Sequence, residues 1–215
     1  GSFGWLVPLS ESRALAGVVF RGSLNGHMGG FLSRLHEEGK IQEVTGPPQR
    51  WGVPLSPLPR TYSDRVMVVG DAAGLAKPTT GGGIYYALLS GGIAAMTADQ
   101  AFLAGDMSSK MLKQYEKKWR AVFGDELEVG HAARMLYEAL GDDQIEFLLS
   151  ELASCEIQNN VIGSREFSFD WHSRVILKAI GNRQFGRVIT SFGPKIAPFL
   201  SRLINVSNIR EETRA

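Results

Sequence analysis

The stretch RVMVVGDAAGLAKPTTGGGIYY, residues 65–86, decides how the rest of this chain is read. Val66 to Val69 is a compact aliphatic run bounded by Asp64-Arg65 and Gly70-Asp71, the pattern of a short, buried central strand. Gly70 and Asp71 then fall where that strand ends, a place where α/β proteins bind ligands. A carboxylate there can accept hydrogen bonds from sugar or polyol hydroxyls. Gly74 permits a tight turn behind it, Pro78 presets the chain, and Thr79 and Thr80 lead into Gly81, Gly82 and Gly83, three positions without side chains. A planar ring can approach the backbone closely at such a loop. From Ile84 to Phe102 the pattern predicts a long helix rich in small residues. Its first amides form a positive terminus suited to a developing negative charge.

A flavin fits this combination, because reduction places charge around N1 and the neighbouring carbonyl oxygen. Each element alone is common, and the plain alternative is a glycine-rich turn between a strand and a helix. Strand, Gly-Asp, Gly, Pro and triple Gly at these spacings, followed by a small-residue helix, are much more specific.

Upstream the chain reads as β-rich. Phe3 to Leu9 and Arg13 to Phe20 are apolar runs separated by Ser10-Glu11-Ser12, which predicts a hairpin. Leu24 to Gly30 is a glycine-rich connection, and Phe31 to Glu38 has helical spacing stopped by Gly39. The prolines at 47, 48, 54, 57 and 59 predict an extended segment. Downstream, Met111 to Phe123, Glu126 to Leu140 and Asp143 to Ala153 have helical periodicity, with separators near Gly105-Asp106, Gly124-Asp125 and Gly141-Asp142. Shorter helices are expected over Trp171 to Ile180, Phe185 to Phe192 and Ile196 to Ile204. The fold class is therefore α/β (α+β), a β-rich part followed by a helical part, with no internal repeat.

Composition narrows the function classes. With 44% hydrophobic and 21% charged residues over 215, the chain can bury a sizeable core. A net charge of +1 gives no field that points to nucleic acid. One cysteine, Cys155, excludes a disulfide framework and an all-cysteine iron–sulfur cluster within the chain, and it suits a reducing cytoplasmic setting. The four histidines show no metal-ligand spacing. Ile84 to Leu103 is long enough to raise the question of a membrane span, but its Gly, Ala, Ser and Thr content with Asp99 and Gln100 favours a buried helix in a soluble domain.

GDAAGLAKPTTGGGI resembles the second FAD motif of the glutathione-reductase-type flavoproteins, a group that includes aromatic hydroxylases, flavin halogenases and geranylgeranyl reductases. The resemblance implies that Asp71, in its Gly70-Asp71 pair, binds the ribityl chain. It implies that Pro78, Thr79, Thr80, Gly81, Gly82 and Gly83 lie beside the isoalloxazine ring. The form KPTTGGGIYYA, with the preceding PLPRTY, is most similar to the geranylgeranyl reductase family. Phe3-Gly4-Trp5-Leu6-Val7-Pro8 resembles that family's aromatic-x-Trp-x-Phe-Pro box, so Phe3, Trp5, Val7 and Pro8 are implied to line an isoprenoid site. Val7 stands where the family has phenylalanine, and Gly17-Val18-Val19 keeps only the first glycine of its Gly-x-Gly. Phe3, Trp5 and Val7 share one face of a strand, where they either line a pocket or fill a core. The resemblance covers residues 1–105 well and the helical remainder only in general character.

The family's first motif, a Gly-x-Gly-x-x-Gly turn that holds the pyrophosphate, has no counterpart in these residues. The chain is thus expected to be a C-terminal portion of a longer flavoenzyme with an incomplete Rossmann-like FAD-binding domain. Its parts would be a segment of a β-rich substrate domain (1–60), the second half of the FAD domain (61–106) and a helical C-terminal region (107–215). Val66 to Val69 would then lack neighbouring strands, which predicts rearrangement or self-association of the fragment, and weak FAD affinity.

From Trp171 to Arg210 the basic residues Arg174, Lys178, Arg183, Arg187, Lys195, Arg202 and Arg210 occur with no acidic residue among them. A basic amphipathic segment suits an anionic membrane surface; the alternative is a helical cap with a solvated basic face. The leading expectation is an FAD-dependent reductase of isoprenoid carbon–carbon double bonds, supplied with electrons by a nicotinamide cofactor or a small electron carrier. The competing readings are a flavin monooxygenase or halogenase, and a binding or membrane-docking module without activity.

Overall fold

In the computed structural model, residues 3–20, 26–154 and 168–203 are described, and they form two compact units, Gly1–Gly52 and Val53–Ala215. In the first unit β1 (Phe3–Ser10) and β2 (Arg13–Val19) form the expected hairpin, antiparallel with Trp5 opposite Gly17 and Val7 opposite Leu15. Helix α1 (His27–Glu37) begins earlier than its apolar spacing suggests, because Gly29 and Gly30 continue the helix instead of ending the connection. Its Phe31 ring lies where a Cβ on Gly4 would be, 2.7 Å from that position, so α1 packs on the face that carries Gly4. On the other face the Trp5 indole covers Gly17 so closely that a methyl group there would collide with it. An aromatic ring laid over a cross-strand glycine recovers contact area that the glycine lacks.

The second unit begins with the extended proline segment and a two-residue hairpin, β3 (Tyr62–Ser63) with β4 (Val66–Met67). Val66 to Val69 is therefore not the buried four-residue strand expected from its composition. A strand buried on both faces needs ladders on both edges; here Val68 donates to Thr61 O at 2.8 Å, Tyr115 Oη donates to Val68 O at 2.8 Å, and Val66 and Val69 stay exposed. A single 3-10 turn, Gly70–Ala73, follows, and then the glycine loop leads into α2 (Ile84–Ala104).

Helix α2 is long and apolar enough to cross a membrane by length and composition, yet only part of it is buried. Tyr86, Ser90, Ile93, Thr97 and Ala101 face the core at helical spacing. The opposite face carries Ile84 (82% exposed), Leu88 (72%), Met96, Phe102 and Leu103. The expectation of a buried helix holds for one face only.

The core of the unit joins Ala73, Leu75, Tyr86, Ile93, Tyr115, Trp119, Phe123 and Leu127. Helix α3 (Ser109–Trp119) begins with Ser108 as N-cap, its side chain accepting from Met111 N. Gly124-Asp125 does not separate α3 from α4 (Asp125–Ala139) as the sequence suggests. The chain passes through a wide π-helical turn, Arg120–Gly124, while Trp119 stacks on Phe123 at 5.4 Å. Packing of Phe123 and Leu127 into one core outweighs the local preference of a glycine to end the helix. Beyond it lie α5 (Asp142–Ser154), α6 (Ser173–Gly181), α7 (Arg183–Ser191), a 3-10 turn (Pro194–Ile196) and α8 over residues 197–203.

The apolar faces of α6 to α8 are occupied: Ile176, Leu177, Ile180, Ile189, Ile196 and Leu203 pack with Val129, Ala132, Leu136 and Leu140. Arg174, Arg183, Arg187 and Arg202 are exposed. The segments read as 61–106 and 107–215 share this one unit. Arg210 of the basic stretch lies outside the described residues.

Candidate functional site

The loop after the 3-10 turn owes its shape to glycines in conformations that other residues rarely adopt. Gly70, Gly74 and Gly81 have φ of 56°, 72° and 75°. Gly74 also passes under the backbone of Ser56 and Pro57; a Cβ there would collide with the Ser56 carbonyl oxygen and stand 2.8 Å from its carbon. Gly70 N donates to Ser90 Oγ at 3.1 Å, which ties the start of the turn to α2, and Leu75 N returns to Gly70 O at 3.0 Å. The loop closes on Lys77: its N–H donates to Gly82 O at 2.9 Å, and Gly81 N–H donates to Lys77 O at 2.7 Å.

These elements bring the expected residues together. Asp71 is exposed, and one of its carboxylate oxygens occupies the space a Cβ on Gly83 would need, with Oδ2 3.1 Å from that position. Gly83 sits at the N-cap of α2 and brings no capping side chain of its own; among the described residues no side-chain hydrogen bond to the first amides of the helix is seen. An accessible carboxylate, glycine backbone and uncapped amides of a 21-residue helix therefore adjoin one another. That donor and acceptor set fits the ring and ribityl chain of a flavin. Thr80 Oγ1 accepts from Gly82 N at 3.4 Å, a bond inside the loop. Ile84, first residue of the helix, projects into the open.

Behind the loop, the structure reveals residues that sequence reading did not single out. Lys77 Nζ donates to Asp170 Oδ1 at 2.9 Å and Phe169 O at 3.0 Å, and lies 4.4 Å from the Phe169 ring centre. Pro78 O accepts from Arg134 Nη1 at 3.1 Å, and Thr79 Oγ1 is 2.9 Å from His172 Nδ1. Glu126 accepts from the backbone N–H groups of His172 and Ser173, capping α6 from another helix. One signal was available: Lys77 is the only charged residue between Asp71 and Asp99. A lone charge in such a run either reaches water or finds a partner.

Tyr85 and Tyr86 follow the loop. Tyr86 is fully buried; its hydroxyl donates to Asp170 O at 2.6 Å. Burial, then the charges of Glu126 and Asp170, raises its pKa far above the ordinary phenol value. Tyr85 Oη accepts from Trp171 Nε1 at 3.1 Å. Both rings pack edge-on against Trp171. On the first unit, Phe3, Trp5, Val7 and Pro8 lie on β1, all exposed, with Leu15 open beside Val7. The odd-numbered face of the hairpin is thus an open apolar surface within its unit. A cavity of about 490 Å³ in the second unit is bounded by Pro57, Trp119, Arg120, His131 and Arg202; none of the expected site residues lines it.

No family model matches the chain. Among curated proteins it is similar to digeranylgeranylglycerophospholipid reductase 1 of Methanopyrus kandleri, with 40% identity over 158 residues, covering 70% of this chain and 42% of that protein. Digeranylgeranylglycerophospholipid reductase 2 of Methanothermobacter thermautotrophicus is 33% identical over 72% of this chain and 40% of its own length. Among solved structures, a geranylgeranyl bacteriochlorophyll reductase-like protein from Thermoplasma acidophilum superposes with a TM-score of 0.62 at 25% identity, over 88% of this chain and 46% of that one. The mixed, helix-rich fold with small sheets is thus shared with a geranylgeranyl reductase-like protein. Over about 70% of its length the chain is thus similar to reductases of the geranylgeranyl family. It spans about two fifths of the length of the curated relatives it matches. The match is longer than residues 1–105 can supply, so the likeness runs into the helical region further than the motifs alone indicate.

Proposed function

We propose that this chain supplies the ring- and ribityl-facing part of an FAD site in an oxidoreductase that reduces carbon–carbon double bonds of an isoprenoid lipid. The observation that carries the reading is the exposed Asp71 carboxylate set against Gly83 at the uncapped start of α2. Bound FAD would supply the hydride, replenished from a nicotinamide cofactor or a small electron carrier. Asp71 would accept hydrogen bonds from ribityl hydroxyls. Gly81 to Gly83 admit a flat ring against backbone, and the α2 amides favour negative charge at its edge.

Phe3, Trp5, Val7 and Pro8 would give the lipid chain an apolar wall, which excludes water and aligns the double bond rather than contributing an acid. Tyr86 is not offered as a proton donor, since its hydroxyl is held by Asp170 O and resists ionisation. The exposed face of α2, with Val66 and Val69, would pack against further protein, either the dinucleotide-binding half of an intact enzyme or a second copy. The protein would work in the cytoplasm at the membrane edge. Contact there would be electrostatic, through Arg174, Arg183, Arg187 and Arg202, because the apolar faces of α6 to α8 are already buried.

The test is anaerobic: protein reconstituted with FAD is reduced, and a geranylgeranyl lipid is added. Re-oxidation of the flavin with saturation of the lipid supports the reading. No re-oxidation by the lipid, followed on admission of oxygen by re-oxidation coupled to hydroxylated or halogenated product, would replace it with a monooxygenase or halogenase.

A further inference from the structure

We propose that Lys77, through its ion pair with Asp170, is a positioning residue that holds the glycine loop in register with the helical region. Three consecutive loop residues are bonded to elements far along the chain: Lys77 to Phe169 and Asp170, Pro78 to Arg134, and Thr79 to His172. Lys77 is the centre of the arrangement. Its backbone receives both ends of the loop, from Gly81 and to Gly82, and its side chain turns back beneath Gly82. There its Cε stands 3.0 Å from where a Gly82 Cβ would be.

The Lys77 side chain is 6% exposed, so its ammonium depends on Asp170, the Phe169 carbonyl and the Phe169 ring in place of water. Removing either charge leaves the other uncompensated. The receiving segment is itself fixed. Glu126 holds the amides of His172 and Ser173, Tyr86 Oη holds Asp170 O, and Trp171 Nε1 reaches Tyr85 Oη. Since Tyr85 and Tyr86 belong to α2, the segment grips the loop and the helix that follows it. A displacement of this segment is transmitted to Gly81–Gly83 through a short, stiff path.

The consequence for FAD rests on the proposed function; the positioning of the loop does not. The experiment therefore reads two quantities. Amide hydrogen exchange is followed by NMR at Gly81 and Gly82 in the chain without ligand, and FAD dissociation constants are taken by titration. Lys77→Met and Asp170→Asn should each speed exchange at Gly81 at least tenfold and weaken FAD at least tenfold, while amides in α3 and α4 keep their protection. Lys77→Arg, which retains the pair, should restore most of the loop protection. Gly82→Ala, which presses on Lys77 without altering any charge, should loosen the loop in the same way, and it serves if Lys77→Met does not fold. Unchanged exchange at Gly81 in Asp170→Asn and Gly82→Ala overturns the proposal, whatever happens to thermal stability. Faster exchange at Gly81 in a chain that binds no FAD even as wild type supports the positioning role, which does not depend on the cofactor.

Discussion

Replacing Gly83 by alanine should separate ligand binding from stability in opposite directions. Gly83 has φ −108° and ψ −21°, a conformation open to any L-residue, at the start of a helix. Alanine there reduces the freedom of the unfolded chain, which stabilises by about 0.4–1 kcal/mol when the native backbone is compatible. For a chain of this size, 1 kcal/mol moves the melting temperature by roughly 2–4 °C. The added Cβ, however, takes the space of an Asp71 carboxylate oxygen. Asp71 is exposed, so its side chain can swing into solvent at little cost, and the collision is relieved there. A hydrogen bond to a charged group is worth about 1.5–3 kcal/mol. Its loss from a ribityl contact corresponds to a roughly ten- to hundredfold weaker FAD complex. The assay pairs FAD titration by fluorescence with thermal denaturation followed by circular dichroism. A Gly83→Ala protein that binds FAD as tightly as wild type would refute the assignment of Asp71, since the carboxylate cannot keep its position beside that methyl group.

Gly74→Ala should do the reverse and destabilise the fold: left-handed φ costs a non-glycine residue about 1–2 kcal/mol and the Ser56 carbonyl blocks the new methyl, so a loss of at least about 2 kcal/mol is expected in denaturant titration. Gly81→Ala shares the positive φ but meets nothing within 4 Å, so its cost should stay near the conformational penalty alone. Burial raises the Glu116 carboxyl, but hydrogen bonds from Thr61 N and Oγ1 and from Arg120 outweigh it and hold its pKa below the ordinary 4.5. A depressed folded value contributes stability that is present above pH 4.5 and lost as pH falls through the folded value. Glu116→Gln should flatten the acid limb of a stability–pH curve there; an unchanged limb would contradict it. Tyr115, pushed up to about 12 mainly by burial, works at the other end: its contribution is complete below pH 10 and declines as pH rises toward 12. Tyr115→Phe should remove that part of the alkaline decline.

The parts of the site that were legible in the sequence are those whose geometry is local. Gly74 is read as a tight turn, and Pro78 with Gly81 to Gly83 marks a loop before a helix; which of these glycines take positive φ, Gly70, Gly74 and Gly81, only the structure shows. The placement of Asp71 follows from those turns. Val66 to Val69 misled because an aliphatic run states only that burial suits it. Whether ladders are available on both sides depends on residues elsewhere. Helix α2 was recognised, but its mean composition hides that Tyr86, Ile93 and Thr97 face a core while Ile84, Leu88 and Met96 do not. The run-on from α3 into α4 was lost because Gly124-Asp125 looks like a break, whereas the stack of Trp119 on Phe123 is a tertiary effect. Lys77 could be noticed as a lone charge; its partner could not, since nothing in the sequence points from residue 77 to residue 170.

That distance also sets an order of assembly. The bonds from Lys77, Thr79 and Tyr86 to the Phe169–His172 segment span 84 to 93 positions along the chain. During synthesis, the glycine loop and α2 emerge long before the residues that lock them, and contacts so remote in sequence close late. A nascent chain stopped after α4 would carry the complete loop sequence with Lys77 still unpartnered by Asp170. Ribosome-stalled chains of increasing length should therefore acquire protease resistance at the loop only once His172 has cleared the exit tunnel. Cofactor capture would then mark the end of folding, so only chains made past that point would be able to retain it.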